Sequence, residues 1–302
     1  MSFAGLLRSQ TIDDGIMIPR HTLFTGNTWT HDSWDHYWEG HLSRTNGNLG
    51  TVATQSDNWY ADYGITSHLD FIVSVPYVWT HASQGVLHDM AGYQDVTFGG
   101  KWAFLERPFT SKGTMRALVA LSGSVPMTNY EPAFEPLSIG NQSKTVSART
   151  TLFWLSHKGW VGTASAAYTW RSNITLDQPY YYTNNQFYLT NQVVMPQQLS
   201  YSANAGYISR GRMIFLQWSQ QRTQGGGDIR RQDAPFPSNM VNYTKIGVNT
   251  MYPLPIRYFH DLGVQFNFGY ILDGRNIGQS MTFTTGLLYT IHFPGSPRSP
   301  QP

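Results

Sequence analysis

Between Gly278 and Phe293 (GQSMTFTTGLLYTIHF), residues Met281, Phe283, Thr285, Leu287, Tyr289, Ile291 and Phe293 alternate with Thr282, Thr284, Gly286, Leu288, Thr290 and His292. A period of two places the first set on one face of a β-strand and the second on the other, so one face is greasy and the other largely polar. An apolar sheet face must be covered, and in a soluble domain the cover is a second sheet or a layer of amphipathic helices. Nowhere does this chain show the apolar spacing of such a helix, whereas strand-like alternation recurs about a dozen times. Lipid is the remaining cover, and the expected fold is an all-β, closed antiparallel transmembrane β-barrel.

The same rhythm appears in Leu69, Phe71, Val73, Val75, Tyr77 and Trp79, and in Val96, Phe98, Gly100, Trp102 and Phe104. It continues through Ala117 to Val125, Val146 to Trp154, Trp160 to Trp170, Leu199 to Tyr207, Ile214 to Trp218, Ile246 to Tyr252 and Leu262 to Leu272. With Arg20 to Thr30, Val52 to Tyr63 and the last strand, the count is about twelve, an even number as closure of a bacterial barrel requires. Connections alternate in length. Short ones fall at Thr66 to His68, Pro108 to Gly113, Ser156 to Gly159, Arg210 to Arg212 and Pro253 to Ile256; long ones fall near 31–49, 81–93, 126–143, 172–197 and 222–240, with a shorter one at 273–278. Short periplasmic turns and long outer loops are the habit of bacterial barrels, which sets both termini in the periplasm. Tyr289, Ile291 and Phe293 also resemble the terminal signal by which such barrels are handed to their insertion machinery.

Composition agrees. Charged residues are 13% and aromatics 15% of the 302 residues, and mean hydropathy is −0.34. No apolar run approaches the roughly 18 residues of a spanning helix. A barrel predicts this mean polarity because only alternate strand residues meet lipid, with aromatics forming the girdles. No Cys is present, and 20 Lys and Arg against 18 Asp and Glu give a net charge of +2, with no electrostatic footprint for nucleic acid. Residues 1–16 are expected as a periplasmic segment, 17–293 as the barrel and 294–302 (PGSPRSPQP) as a disordered Pro-rich tail. Met1 to Gln10 lacks the pattern of a secretion leader, so an export signal to the outer membrane of a Gram-negative bacterium is expected to have been removed.

Parity sends Asp62, Asp70, Asp95, Lys101, Arg116, Arg149, Arg171, Lys245, Gln265 and Asn267 into the lumen. A Lys or Arg on the lipid face at mid-membrane would cost about 2–4 kcal/mol, which is the physical reason for that assignment. Two roles are open to these charges: a ladder that selects permeating ions, or a brace that ties opposite signs across the interior and closes it.

In the run HDSWDHYWEGH, His31, His36 and His41 stand with Asp32, Asp35 and Glu39, and His81 and His88 follow in the next loop. These are ligand types for Zn²⁺, Cu²⁺ or Ni²⁺, but the five-residue spacing fits neither a helix face nor a strand face, and a solvated loop with incidental His is the better account. Trp34, Tyr37 and Trp38 are expected to anchor the rim at the lipid headgroups. A rim hydrolase would need a Ser nucleophile, a His base and an orienting polar group. His41, Ser43 and Asn46 offer only a fragment of that set, so no enzyme and no cofactor is expected. Asp177 to Tyr188 and Gln224 to Pro237 read as long loops that either fold inward as a constriction or meet a protein partner at the cell surface.

Three blocks carry a family resemblance: YGITSHLDFIVSVPYV at Tyr63 to Val78, GYQDVTFGGKWAFL at Gly92 to Leu105 and ALVALSGSVP at Ala117 to Pro126. They resemble the outer-membrane family named for the MetA pathway of phenol degradation, with Ile65 where that family has Leu, and Met127 and Thr128 following Pro126 in place of Thr-Gly. The resemblance implies a barrel that transports hydrophobic or aromatic compounds. The combined expectation is a membrane-embedded, passive channel or binding protein for a small solute, with a non-conducting scaffold barrel as the alternative.

Overall fold

The computed structural model describes residues 12, 14–109, 113–230, 235–256 and 261–296. The first eleven residues and 297–302, most of the Pro-rich tail, lie outside the described residues. Among the described residues no helix is present. The first six long strands are β1 (Thr22–Trp34), β2 (Val52–Gly64), β3 (Leu69–Ala82), β4 (Asp95–Pro108), β5 (Gly113–Pro126) and β6 (Thr145–Ser156). They are followed by β7 (Trp160–Arg171), β8 (Gln197–Ser209), β9 (Arg212–Gln224), β10 (Asn242–Pro253), β11 (Leu262–Arg275) and β12 (Met281–His292). Each pairs antiparallel with its sequence neighbour, and the ring closes because β1 pairs with both β2 and β12, so that Asn27 stands opposite Trp59 and Leu287. The result is a closed barrel of twelve strands. The short strand Ala91–Tyr93 adds to β3 above the wall, and β-bulges interrupt the register at Ala103/Leu105 and Thr244/Lys245.

Strand parity follows the sequence pattern. Trp102, Leu121, Leu152, Leu216, Phe266 and Leu287 are exposed on the outer face, where lipid covers them. Asp57 also faces outward, near the middle of β2, opposite Trp29 and Tyr77. The β8–β9 hairpin turns on two residues, Arg210 at φ 48° and Gly211 at φ 78°. Two positive φ values give the primed turn whose twist matches that of paired strands, and Gly211 adopts its value without a Cβ penalty.

The described part of the N-terminal segment differs from the expectation of a periplasmic arm. Asp14 to Ile18 run up inside the barrel, with Ile16, Met17 and Ile18 all buried. The reason is a collar of apolar residues on the inward face of the wall near its periplasmic end. Phe24, Tyr60, Leu118, Phe153, Val161, Met213, Met251 and Leu288 form it, and the three segment side chains complete that cluster. Apolar surface facing a wet lumen is unfavourable by about 25 cal/mol per Å², so an apolar segment preceding β1 fills the collar.

Candidate functional site

The lumen is layered along its axis. Above the apolar collar the inward residues are polar and tie neighbouring strands together. Asn204 donates to Thr163 at 2.8 Å, Asn249 to Gln217 at 2.9 Å, and Ser124 and Thr145 are bonded at 2.7 Å. The charges are segregated around the wall. Asp32, Asp62, Asp70 and Asp95 come from β1 to β4, while Lys101, Arg116, Arg149 and Arg171 come from β4 to β7, with Lys245 on β10.

Most of these charges are engaged. Lys101 is 1% exposed and its ammonium lies 3.2 Å from Asp14 and 4.0 Å from Asp62. Asp70 accepts a hydrogen bond from the backbone N–H of Ile18 at 2.9 Å, so the wall grips the N-terminal segment twice, once through the Lys101 ammonium and once through the Asp70 carboxylate. Arg116 pairs with Glu106 at 2.9 Å, donates to the carbonyl of Gly15 at 3.3 Å and lies over the Phe153 ring at 5.7 Å. Lys245 donates to Thr282 at 2.6 Å, and Thr282 donates in turn to Asp32 at 2.6 Å. Arg149 donates to Ser165 at 2.8 Å, which is bonded to Ser202 at 2.8 Å.

The outer end is narrowed by residues 127–144. Leu137 and Ile139 are buried, Ile139 with Tyr130 and the inward-facing Val78, and Thr80 donates to the carbonyl of Leu137 at 2.6 Å. Tyr130 donates to Asp95 at 2.6 Å. Asn141 bridges the loop to the wall, donating to Glu135 at 3.0 Å and accepting from Arg171 at 3.1 Å. Burial pushes the Glu135 carboxyl up to about 7 against the opposing pull of Arg171. An inward fold, one of the alternatives expected for 177–188 and 224–237, is seen here in residues 127–144. Its signal was legible in the apolar content of the connection, where Leu137 and Ile139 stand with Met127, Ala133 and Phe134. Residues 172–196 instead build a small core of Ile174, Leu176, Val193 and Met195, with Tyr181 stacked between Tyr188 at 4.8 Å and Phe236 at 5.2 Å.

A second group of outer loops is clasped shut. Arg275 makes two 2.7 Å hydrogen bonds to Asp228, and Asn276 bridges Gly40, Ile229 and Met240. The Arg275 bonds hold the Asp228 carboxyl well down, at about 2. Trp38, expected at the rim, is buried here, and Trp34 and Trp38 close against Gly278 and Gly274, where the missing Cβ leaves room for each indole. The histidines are not brought together. His31 faces outward and stacks on Trp29 at 6.0 Å, His36 pairs with Asp35 at 2.8 Å, and His81 pairs with Asp89 at 2.8 Å. Among the described residues no group of three or more His, Asp or Glu side chains could hold a metal ion.

Among the described residues, one side of the interior is left unfilled. A cavity of about 540 Å³ lies against β6 to β11, bounded by Asp14, Gly15 and Ile16 of the N-terminal segment. Of the charged residues expected in the lumen, only Arg149 and Lys245 line it. Asp70, Asp95, Lys101, Arg116 and Arg171 serve contacts with the segment, the inward loop or the wall.

The closed wall, its apolar outer face and the layered lumen together define a transmembrane β-barrel of the outer-membrane class. No family model and none of the curated proteins matches the sequence. Among solved structures the chain is similar to the COG4313 outer membrane channel from Pseudomonas putida F1, at 14% identity and a TM-score of 0.68 over 93% of this chain and 100% of that one. That likeness is one of fold. The NanC porin follows at 9% identity and a TM-score of 0.46 over 87% and 98% of the two chains. The translocator domain of the autotransporter NalP from Neisseria meningitidis follows at 8% and 0.45 over 91% and 90%.

Proposed function

We propose that this barrel is a passive channel for small solutes in the outer membrane of a Gram-negative bacterium, with its route running off-centre along β6 to β11. The observation that carries this reading is the cavity of about 540 Å³, lined by both polar and apolar side chains, that the described residues leave on that side. Its opposite side is occupied by the N-terminal segment below and by residues 127–144 above. A barrel serving only as a brace would have no use for such a space. The resemblance of three blocks within its first half, between Tyr63 and Pro126, to the family named for the MetA pathway of phenol degradation supports the same reading. The alternative is a non-conducting scaffold, favoured by the packing of Ile16, Met17 and Ile18 against the apolar collar.

Conductance in planar bilayers separates the two. The full chain is expected to show small, steady channels, and a variant lacking residues 1–17 is expected to conduct several-fold more because the collar is vacated. Absence of current from both proteins, each heat-modifiable on gels, would refute the channel.

A further inference from the structure

We propose that the outer face of the barrel holds a site for one anionic phospholipid, at the short-turn end of β8 to β11. The proposal goes beyond the channel reading and stands whether or not the lumen conducts. It takes from that reading only the setting of the short turns at the periplasmic leaflet, which in an outer membrane is built of phospholipid.

The first observation is a groove. About 840 Å³ of space lies against the outer wall there, bordered by Tyr207, Ile214, Thr250, Tyr252, Val264 and Phe266. Register explains it. Tyr207, Ile214, Thr250 and Phe266 stand side by side across four strands, so the small Thr250 is set between two large apolar neighbours. Its hydroxyl donates to the carbonyl of Phe266 at 2.8 Å and is thereby satisfied within the wall, which keeps the groove apolar. An acyl chain lying in such a groove touches wall on three sides and gains more dispersion contacts than it would against a flat face.

The second observation is charge at the mouth of the groove. Arg210 and Arg212 flank Gly211 at the β8–β9 turn, are both exposed, and border the same space. Among the described residues no acid borders the groove and neither arginine has an ion-pair partner. Asp261, on the neighbouring turn, is set against His292 at 3.9 Å. Arg212 lies over the Tyr252 ring at 4.7 Å, a cation–π contact that steadies the guanidinium without using its N–H donors. Arg210 holds φ at 48°, where a two-residue turn of this kind prefers Asn or Gly, so the turn itself does not call for arginine.

A guanidinium takes a phosphodiester through two parallel N–H bonds. With a zwitterionic headgroup the lipid also brings an ammonium, which the second arginine repels. An anionic headgroup brings no such cation, and basic pockets at a membrane edge favour anionic lipids on this ground. A free phosphate ester would meet the arginines but leave the groove empty, whereas a phospholipid fills both.

The test uses the full chain, folded in detergent and heat-modifiable, with bound lipid counted by native mass spectrometry. Phosphatidylglycerol and phosphatidylethanolamine with the same acyl chains are titrated separately. Phosphatidylglycerol is expected to bind at one site at least about fivefold more tightly. Arg210→Gln with Arg212→Gln should bring the two lipids to within about twofold of each other. Arg107→Gln with Lys158→Gln, which removes exposed cations elsewhere at the same end, should leave the preference intact. Thr250→Phe fills the groove with both arginines in place and should weaken phosphatidylglycerol several-fold. Equal binding of the two lipids by the unmodified protein would overturn the proposal. So would an equal loss of preference in the Arg107 and Lys158 variant, the mark of diffuse attraction to a basic rim. Undiminished binding by Thr250→Phe, or binding of glycerol 1-phosphate as tight as that of the lipid, would overturn it as well, because the arginines would then be holding a headgroup without the groove.

Discussion

Replacing Lys101 by Met tests how the interior is held. The ammonium is 1% exposed and lies 3.2 Å from Asp14 and 4.0 Å from Asp62, while Asp62 is fully buried and both its carboxylate oxygens lack a hydrogen-bond partner among the described residues. At an effective dielectric near 20, attractions at those distances are on the order of 5 and 4 kcal/mol before desolvation is counted. Removing one member of a buried charge pair strands the other, at a net cost of about 3–5 kcal/mol. Lys101→Met is therefore expected to lower unfolding stability by that amount, and to loosen the N-terminal segment because the Asp14–Lys101 contact is lost. Adding Asp62→Asn removes the stranded carboxylate and should restore at least about 2 kcal/mol. Reversible urea unfolding in phospholipid vesicles measures both. A single variant within about 1 kcal/mol of the parent would refute this account, and so would a double variant no more stable than the single.

Register is tested on the wall. Leu121→Arg, and likewise Trp102→Asp, puts charge on the lipid face and is expected to block insertion, about 2–4 kcal/mol for the Arg, while the inward-facing Thr97→Asp is tolerated; equal behaviour of all three in a folding assay would disprove the parity. The inward loop should respond to pH. With Glu135 near 7 in place and 4.5 when free, the folded loop holds the extra proton between those values, so docking is strongest below about 4.5 and weakens as pH rises through about 7. Conductance should therefore be greater at about pH 8 than at about pH 5, and Glu135→Gln should flatten that dependence; a Gln variant with the parent's pH profile would remove Glu135 as the cause.

What the sequence determined alone was the wall. Alternation in Leu69 to Trp79 and Met281 to Phe293 fixes which side chains meet lipid, because a two-residue period has only two faces to choose between. The even strand count and the alternation of turns and loops follow from the same local chemistry, as does the inward direction of Lys101, Arg149 and Lys245. The apolar collar was also legible in principle, since Phe24, Phe153, Met213 and Met251 stand on faces that should be wet. Tertiary structure decided what occupies that collar and which charges remain exposed to a solute. Asp14 meets Lys101 across 87 residues, Ile18 meets Asp70 across 52, and Lys245 meets Thr282 across 37. None of these pairs shares a local period. They arise because closing twelve strands brings distant inward faces around one axis, so the partners of a lumenal charge depend on ring closure and on what the interior admits, neither of which any single strand encodes.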